Sequence, residues 1–198
     1  MAFYNKLKWV LGILMIFVLI VATNLIDRNN FVRVRDSVVT IYEDRIIAND
    51  IIFEIAKSIQ EKEIAFVLTD TEFFNQRNGK MNNDIQNFIR RFEQTKLTDD
   101  ESKIFNNLKG NLGSLIKSET IFIESDFQNK STLEDIFSSI KDNLYDLSKI
   151  QLDEGRRQMS ISKEAIDIVE LFTTIEIYLL IFLAITVQII IIYKPKEA

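Results

Sequence analysis

The sequence predicts an all-α protein: a membrane-anchored, antiparallel up-down-up-down four-helix bundle whose first and last helices continue into two transmembrane helices. Three observations lead there. Two apolar runs, residues 9–26 and 177–193, each have about the 17–25 residues that carry a helix across a bilayer. The long segment between them repeats its apolar residues at spacings of three and four, the rhythm of a helix buried along one face. The single proline, Pro195, lies beyond both runs and glycine is scarce, so little interrupts long helices. The resulting division is a cytoplasmic tail at 1–8, a span at 9–26, an extracytoplasmic bundle at 27–174, a span at 175–193 and a cytoplasmic tail at 194–198.

Lysines flank the outer ends of both spans: Lys6 and Lys8 before the first, Lys194 and Lys196 after the second. The positive-inside tendency therefore puts both termini in the cytoplasm and the insert on the other side of the membrane. Asp167, Glu170 and Glu176 on the far side of the second span agree; Arg28, Arg33 and Arg35 after the first span run against it, but charges entering a long translocated segment count for less. Tyr4, Trp9, Tyr178 and Tyr193 suit interfacial anchors. The rival reading of residues 1–26, a cleaved signal peptide, has the basic start but lacks a small-x-small cleavage site, since Ile20 and Ala22 are a poor pair. Gln188 inside the second span is either a helix–helix hydrogen-bonding residue or a tolerated lone amide.

In the insert, the first helix carries a seam through Phe31, Val34, Val38, Ile41, Arg45, Ala48, Ile52, Ile55, Ile59, Lys62, Phe66, Thr69 and Phe73. A neighbouring stripe, Val39, Tyr42, Ile46, Phe53, Ala56 and Ile64, widens the apolar face to bundle width. The helix ends between Thr69 and Gly79, with Asp70-Thr71 and Asn78-Gly79 as alternative breaks. A second helix presents Met81, Ile85, Phe88, Ile89 and Phe92. Leu97-Thr98-Asp99-Asp100-Glu101 reads as a turn and a capping box, Thr98 capping and Glu101 reaching back. The third helix follows with Phe105, Leu108, Leu112, Leu115, Phe122 and Ile123, weakened by Gly110 and Gly113. Ser131 and Glu134 form a second capping box. The fourth helix holds heptad spacing through Ile140, Leu144, Leu147, Gln151, Glu154, Gln158, Ile161, Ala165, Ile168, Phe172 and Ile175, straight into the second span.

Lengths add a constraint. At 1.5 Å per residue the first and fourth helices stand roughly 65–70 Å off the membrane and the third spans about 45 Å, leaving a two-helix stalk of roughly 20 Å. Such a stalk buries little alone, which argues for a homodimer. A row on the fourth helix, Leu152, Gly155, Met159, Ser162 and Ile166, with Val169, is the candidate dimer face; it could equally face the third helix.

Polar residues interrupt the seams at one height. Gln151, Glu154 and Gln158 are consecutive seam positions on the fourth helix, and Arg45 breaks the lower seam of the first. Counted from the membrane, Arg45 and Glu154 both lie about 27–30 Å out, near the 96–100 turn. The expectation is an Arg45–Glu154 pair with the glutamines completing its hydrogen bonds. Such a layer fixes helix register, or contacts a ligand or acts as a switch, or marks the exposed lower rim of the bundle. Arg90-Arg91 and Arg156-Arg157 read as solvated helix faces ahead of anion sites, and Phe66, Phe73 and Phe74 as core ahead of a ligand cage.

The chain has no cysteine and no histidine, so it offers no disulfide, no usual zinc or haem site and no histidine-based triad, and no glycine-rich phosphate loop or calcium-loop spacing occurs. Neither an enzyme nor a cofactor or metal is expected. With 29 acidic residues against 24 basic, and four of those lysines beside the spans, the insert is acidic and no nucleic-acid partner is expected.

Ile41-Tyr42-Glu43-Asp44-Arg45, then Leu97-Thr98-Asp99-Asp100-Glu101, then Leu144-Tyr145-Asp146-Leu147-Ser148-Lys149-Ile150-Gln151 followed by Gly155-Arg156, occur in an order and spacing that resembles the four-helix-bundle sensory domain of methyl-accepting chemotaxis receptors and related bacterial sensor proteins. The resemblance covers nearly the whole chain. It implies dimerisation and detection of a small molecule outside the cytoplasmic membrane. Members usually continue past the second span into a signalling coiled coil or output domain; this sequence ends five residues after Tyr193, so the expectation is a sensory domain without that module. Two functions follow: a sensor relaying a helix shift to a separate membrane protein, or a structural subunit of a cell-envelope complex that senses nothing.

Overall fold

A computed structural model describes residues 2–128 and 132–192, the backbone alone for 2–10, 13 and 187–192. Every regular element among the described residues is helical: α1 (Ala2–Thr40), a π turn (Ile41–Ile46), α2 (Ile47–Leu68), a second π turn (Phe73–Arg77), α3 (Asn78–Phe92), α4 (Asp99–Glu124) and α5 (Leu133–Ile192). The chain divides into two compact units, residues 39–158 and the described parts of 1–38 with 159–198.

Residues 39–158 form the four-helix bundle. Its core is continuous: Ile51, Ile52, Ile55, Ile59 and Phe66 of α2 meet Ile85, Ile89 and Phe92 of α3, Phe105, Leu108, Leu112, Leu115 and Phe122 of α4, and Leu133, Phe137, Ile140, Leu144 and Leu147 of α5. Apart from Ile51, Leu133 and Phe137, these residues belong to the predicted seams. Burying each such side chain contributes about 1.5–3 kcal/mol. The Thr98 cap forms as its spacing predicts: Thr98 Oγ1 accepts from Glu101 N at 3.3 Å, and Glu101 Oε2 accepts from Thr98 N at 2.6 Å. Gly110 and Gly113 do not break α4. Ser131 lies outside the described residues, as do Tyr193, Lys194, Lys196 and the side chains of Tyr4, Lys6, Lys8, Trp9 and Gln188.

Of the two breaks open to the first bundle helix, the chain takes the earlier. Thr69 adopts the left-handed conformation, φ 53° and ψ 47°, Asp70 N donates to Ala65 O at 2.8 Å, and Thr69 N donates to Phe66 O at 3.1 Å. This is a Schellman ending, whose turning residue is ordinarily glycine. The end of α4 repeats it, with Asp126 at φ 53°, Phe127 N donating to Phe122 O and Asp126 N to Ile123 O. Both reversals sit under one aromatic cluster. Phe122 is 5.3 Å from Phe66, 5.4 Å from Phe74 and 5.3 Å from Phe127, ring centre to ring centre, each pair edge to face. Phe66, Phe73 and Phe74 are therefore core, all nearly inaccessible to solvent.

Two expectations for the first helix fail in a related way. The stripe Val39, Tyr42, Ile46, Phe53 and Ile64 is exposed, with only Ala56 half-buried, because the partners of α2 cover one face and this stripe lies off it. Below the π turn the seam is displaced by one residue: Thr23, Asn30 and Ser37 are buried at steps of seven, while the expected Phe31 and Val38 are exposed. A uniform heptad count carried down from Ala48 and Arg45 gives 38 and 31. The π turn inserts one residue into that count, so the true positions are 37 and 30.

In the described parts of 1–38 and 159–198, Thr23, Asn30 and Ser37 of α1 and Ser162 and Ala165 of α5 are the buried positions, while Leu14, Met15, Phe17, Val18, Ile181 and Phe182 are exposed. Among the described residues, two helices, α1 with its continuation and α5, are long and apolar enough to cross a membrane.

A β-branched residue in the left-handed region costs about 1–2 kcal/mol, a penalty glycine escapes. Thr69→Gly is expected to raise stability by about 1 kcal/mol in thermal or urea melts of the full chain in detergent; a loss would show that the Thr69 side chain contributes more than its backbone costs.

Candidate functional site

The interior of the bundle holds two layers of charge. The lower one is built on Arg45, the one buried residue of the first π turn. Its Nη1 donates to Glu101 Oε1 at 2.6 Å and to Gln151 Oε1 at 3.0 Å, and its Nη2 donates to Lys96 O at 3.1 Å. Gln151 Nε2 also donates to Glu101 Oε1. Beside it, Asp44 Oδ1 accepts from Lys96 N at 3.1 Å. The layer thus joins the π turn, the α3–α4 turn, the first turn of α4 and the middle of α5. Arg45 Nε is buried without a partner.

Glu101 is fully buried and divides its two oxygens between tasks. Oε2 completes the capping box of α4 and Oε1 takes the arginine. Charge-assisted hydrogen bonds of this kind are the strong ones, and they offset part of the desolvation of both ions.

The expected pairing of Arg45 with Glu154 is not formed. Glu154 is half-buried and accepts from Arg157 of its own helix, at 2.9 Å from Nε and 2.7 Å from Nη2. Gln158 is also half-buried. Of the four residues Arg45, Gln151, Glu154 and Gln158, the structure brings only Arg45 and Gln151 together. The reason is competition: a carboxylate on the neighbouring turn, Glu101, reaches the guanidinium from inside the bundle, while an arginine three residues along α5 satisfies Glu154 locally. Arg156 pairs likewise with Asp153, so Arg156-Arg157 is a solvated face.

The upper layer escaped the sequence reading. Lys62 of α2 is wholly buried, and its Nζ donates to Glu119 Oε1 and Oε2 of α4 at 2.7 and 2.8 Å and to Asn78 Oδ1, just after the second π turn. Asn78 Nδ2 closes the ring onto Glu119 Oε2 at 3.1 Å. A signal was present: Lys62 occupies a seam position of the first helix, and Glu119 continues the series Phe105, Leu108, Leu112, Leu115. Opposite charges at core positions of two helices are expected to meet. Burial pushes the Lys62 ammonium below its ordinary value of 10.5, with the Glu119 carboxylate opposing the fall. The desolvation of this charge thus outweighs the attraction of its partner.

The candidate dimer face also needs correction at one residue. Leu152, Met159 and Ile166 are exposed, and Gly155 has open space where a side chain would stand. Ser162 is buried. At about 100° per residue it falls on the edge of this row nearest the Gln151–Ala165 side of α5, so it packs inward.

A family model described as a four helix bundle sensory module for signal transduction matches residues 3–165. No curated protein and no solved structure matches the chain.

Removing one member of a buried ion pair costs about 3–5 kcal/mol, whereas replacing the whole group with apolar residues is neutral or stabilising. Glu119→Leu is expected to destabilise the chain by that amount in urea melts followed by circular dichroism. Adding Lys62→Met and Asn78→Leu should restore most of the loss. Equal damage from the single and the triple variant would mean that the layer contributes net stability.

Proposed function

We propose a function that proceeds from membership: the chain belongs to the four helix bundle sensory modules for signal transduction. On that premise it is a bacterial inner-membrane sensory or regulatory protein. Its bundle lies in the periplasm, both termini lie in the cytoplasm, and it detects a small molecule or a periplasmic partner. It then relays a helix shift to a separate membrane protein.

One observation carries this reading. The helices that enter and leave the bundle are the same helices that carry the membrane-length apolar stretches. A displacement imposed on either helix in the bundle has a covalent, hydrogen-bonded route into the bilayer. The lysines outside both spans support the orientation. A chain without cysteine or histidine suits a module that acts by changing shape rather than by catalysis. The protein acts as a homodimer: Tyr42 and Phe53 on one bundle helix and Tyr145 and Leu152 on another are more than half exposed, and large apolar groups left in water mark interaction surfaces.

The full chain in lipid nanodiscs, screened by thermal shift against amino acids, organic acids and sugars, should show a saturable rise in Tm, equivalent to about 2.7 kcal/mol at a hundred times Kd. No shift with any of them, together with stoichiometric co-purification with an envelope assembly, would favour the structural-subunit reading. Because the native chain lacks cysteine, single substitutions report contacts cleanly. Leu152→Cys and Met159→Cys should crosslink between copies in membranes and Ser162→Cys should not; the reverse pattern would put the dimer face elsewhere.

A further inference from the structure

We propose that the π turn Ile41–Ile46 is a stored residue held in place by Arg45, and that its release into α-helix is the conformational step by which the bundle signals. The inference deepens the sensory reading and takes its purpose from it.

The stored residue is visible in the burial pattern. Buried positions run Thr23, Asn30, Ser37 at steps of seven, then resume at Arg45, Ala48, Ile52 and Ile55, one residue later than the next step of seven. The turn that absorbs the difference is flanked by regular helix on both sides. A π turn is the rarer conformation, so something outside the helix must favour it. Arg45 is that anchor. It is the one buried residue of the turn, and its guanidinium is tied to Glu101 of α4, Gln151 of α5 and the carbonyl of Lys96. Asp44, adjacent in the turn, takes the Lys96 amide. The layer therefore reads the positions of two other helices and one turn at a single point.

The alternative state is defined by helix geometry. If Arg45 leaves the layer, the spare residue joins the α-helix, and every position N-terminal to it changes phase by about 100° and rise by about 1.5 Å. Small movements of α4 or α5 lengthen the bonds from Glu101 and Gln151 to Arg45, so any event that shifts those helices biases the turn. Packed elements of this kind have discrete arrangements and turn a small shift into a full step.

The test is maleimide alkylation of single cysteines in the full chain in nanodiscs, with no ligand present. Ser37→Cys replaces a residue 5% exposed and Ala48→Cys one that is fully buried, so both should react slowly in the otherwise native chain. With Arg45→Met added, Ser37→Cys should react about tenfold faster or more, while Ala48→Cys stays protected. Deleting exposed Glu43 in the Arg45→Met background removes the spare residue and should restore protection at position 37. Continued protection of Ser37→Cys beside Arg45→Met would overturn the proposal. So would reactivity at both cysteines, or a Glu43 deletion that restores nothing, because either means ordinary unfolding. No thermal shift with any ligand, together with stoichiometric co-purification with an envelope assembly, would count against the sensory reading and leave this result standing.

Discussion

A charge in an apolar bundle is tolerated only where an opposite charge and polar groups meet it, and that requirement governs how these helices meet. Smooth apolar seams can slide past one another by a turn at little cost. Arg45 cannot slide, because its guanidinium is satisfied only where Glu101, Gln151 and the Lys96 carbonyl converge. Lys62 imposes the same condition through Glu119 and Asn78. Two such layers at different heights fix the register of α2 against α3, α4 and α5, as single polar residues fix the register of coiled coils.

Each layer also draws on local structure. Glu101 serves the start of α4 with one oxygen and Arg45 with the other, so the capping box and the ion pair share one carboxylate. Each layer adjoins a π turn: Arg45 lies inside the first, and Asn78 directly follows the second. The surface ion pairs are of another kind. Lys109 with Glu93 and Lys141 with Glu63 lie between exposed positions on neighbouring helices and contribute about 0–1 kcal/mol each.

Much of the fold was legible because it depends on periodicity. The seams of all four bundle helices, the Thr98 capping box and the apolar core at Phe66, Phe73 and Phe74 follow from spacings of three, four and seven. The α4 glycines were tolerated because tertiary packing outweighs propensity. The reading erred at the stripe Val39, Tyr42, Ile46, Phe53 and Ile64, which the partners of α2 leave exposed, and elsewhere by one residue or by one partner. Phe31 and Val38 were expected inside in place of Asn30 and Ser37 because a heptad count assumes an unbroken α-helix. Ser162 was assigned to an outer face because a row spaced at three and four drifts around the helix, and its edge residue turns inward.

The sequence by itself determined that this chain is helical, that its first and last helices have membrane length, and that Arg45 and Gln151 stand where an apolar seam has none to offer. These follow from short-range spacing, which any helix converts into a face. Only the tertiary structure decided that Arg45 takes Glu101 and leaves Glu154 to Arg157, that Lys62 and Glu119 are mates, and that a π turn lies between Thr40 and Ile47. Partner choice depends on which groups several separate helices bring within about 3 Å of one another, and no spacing along one chain encodes that distance.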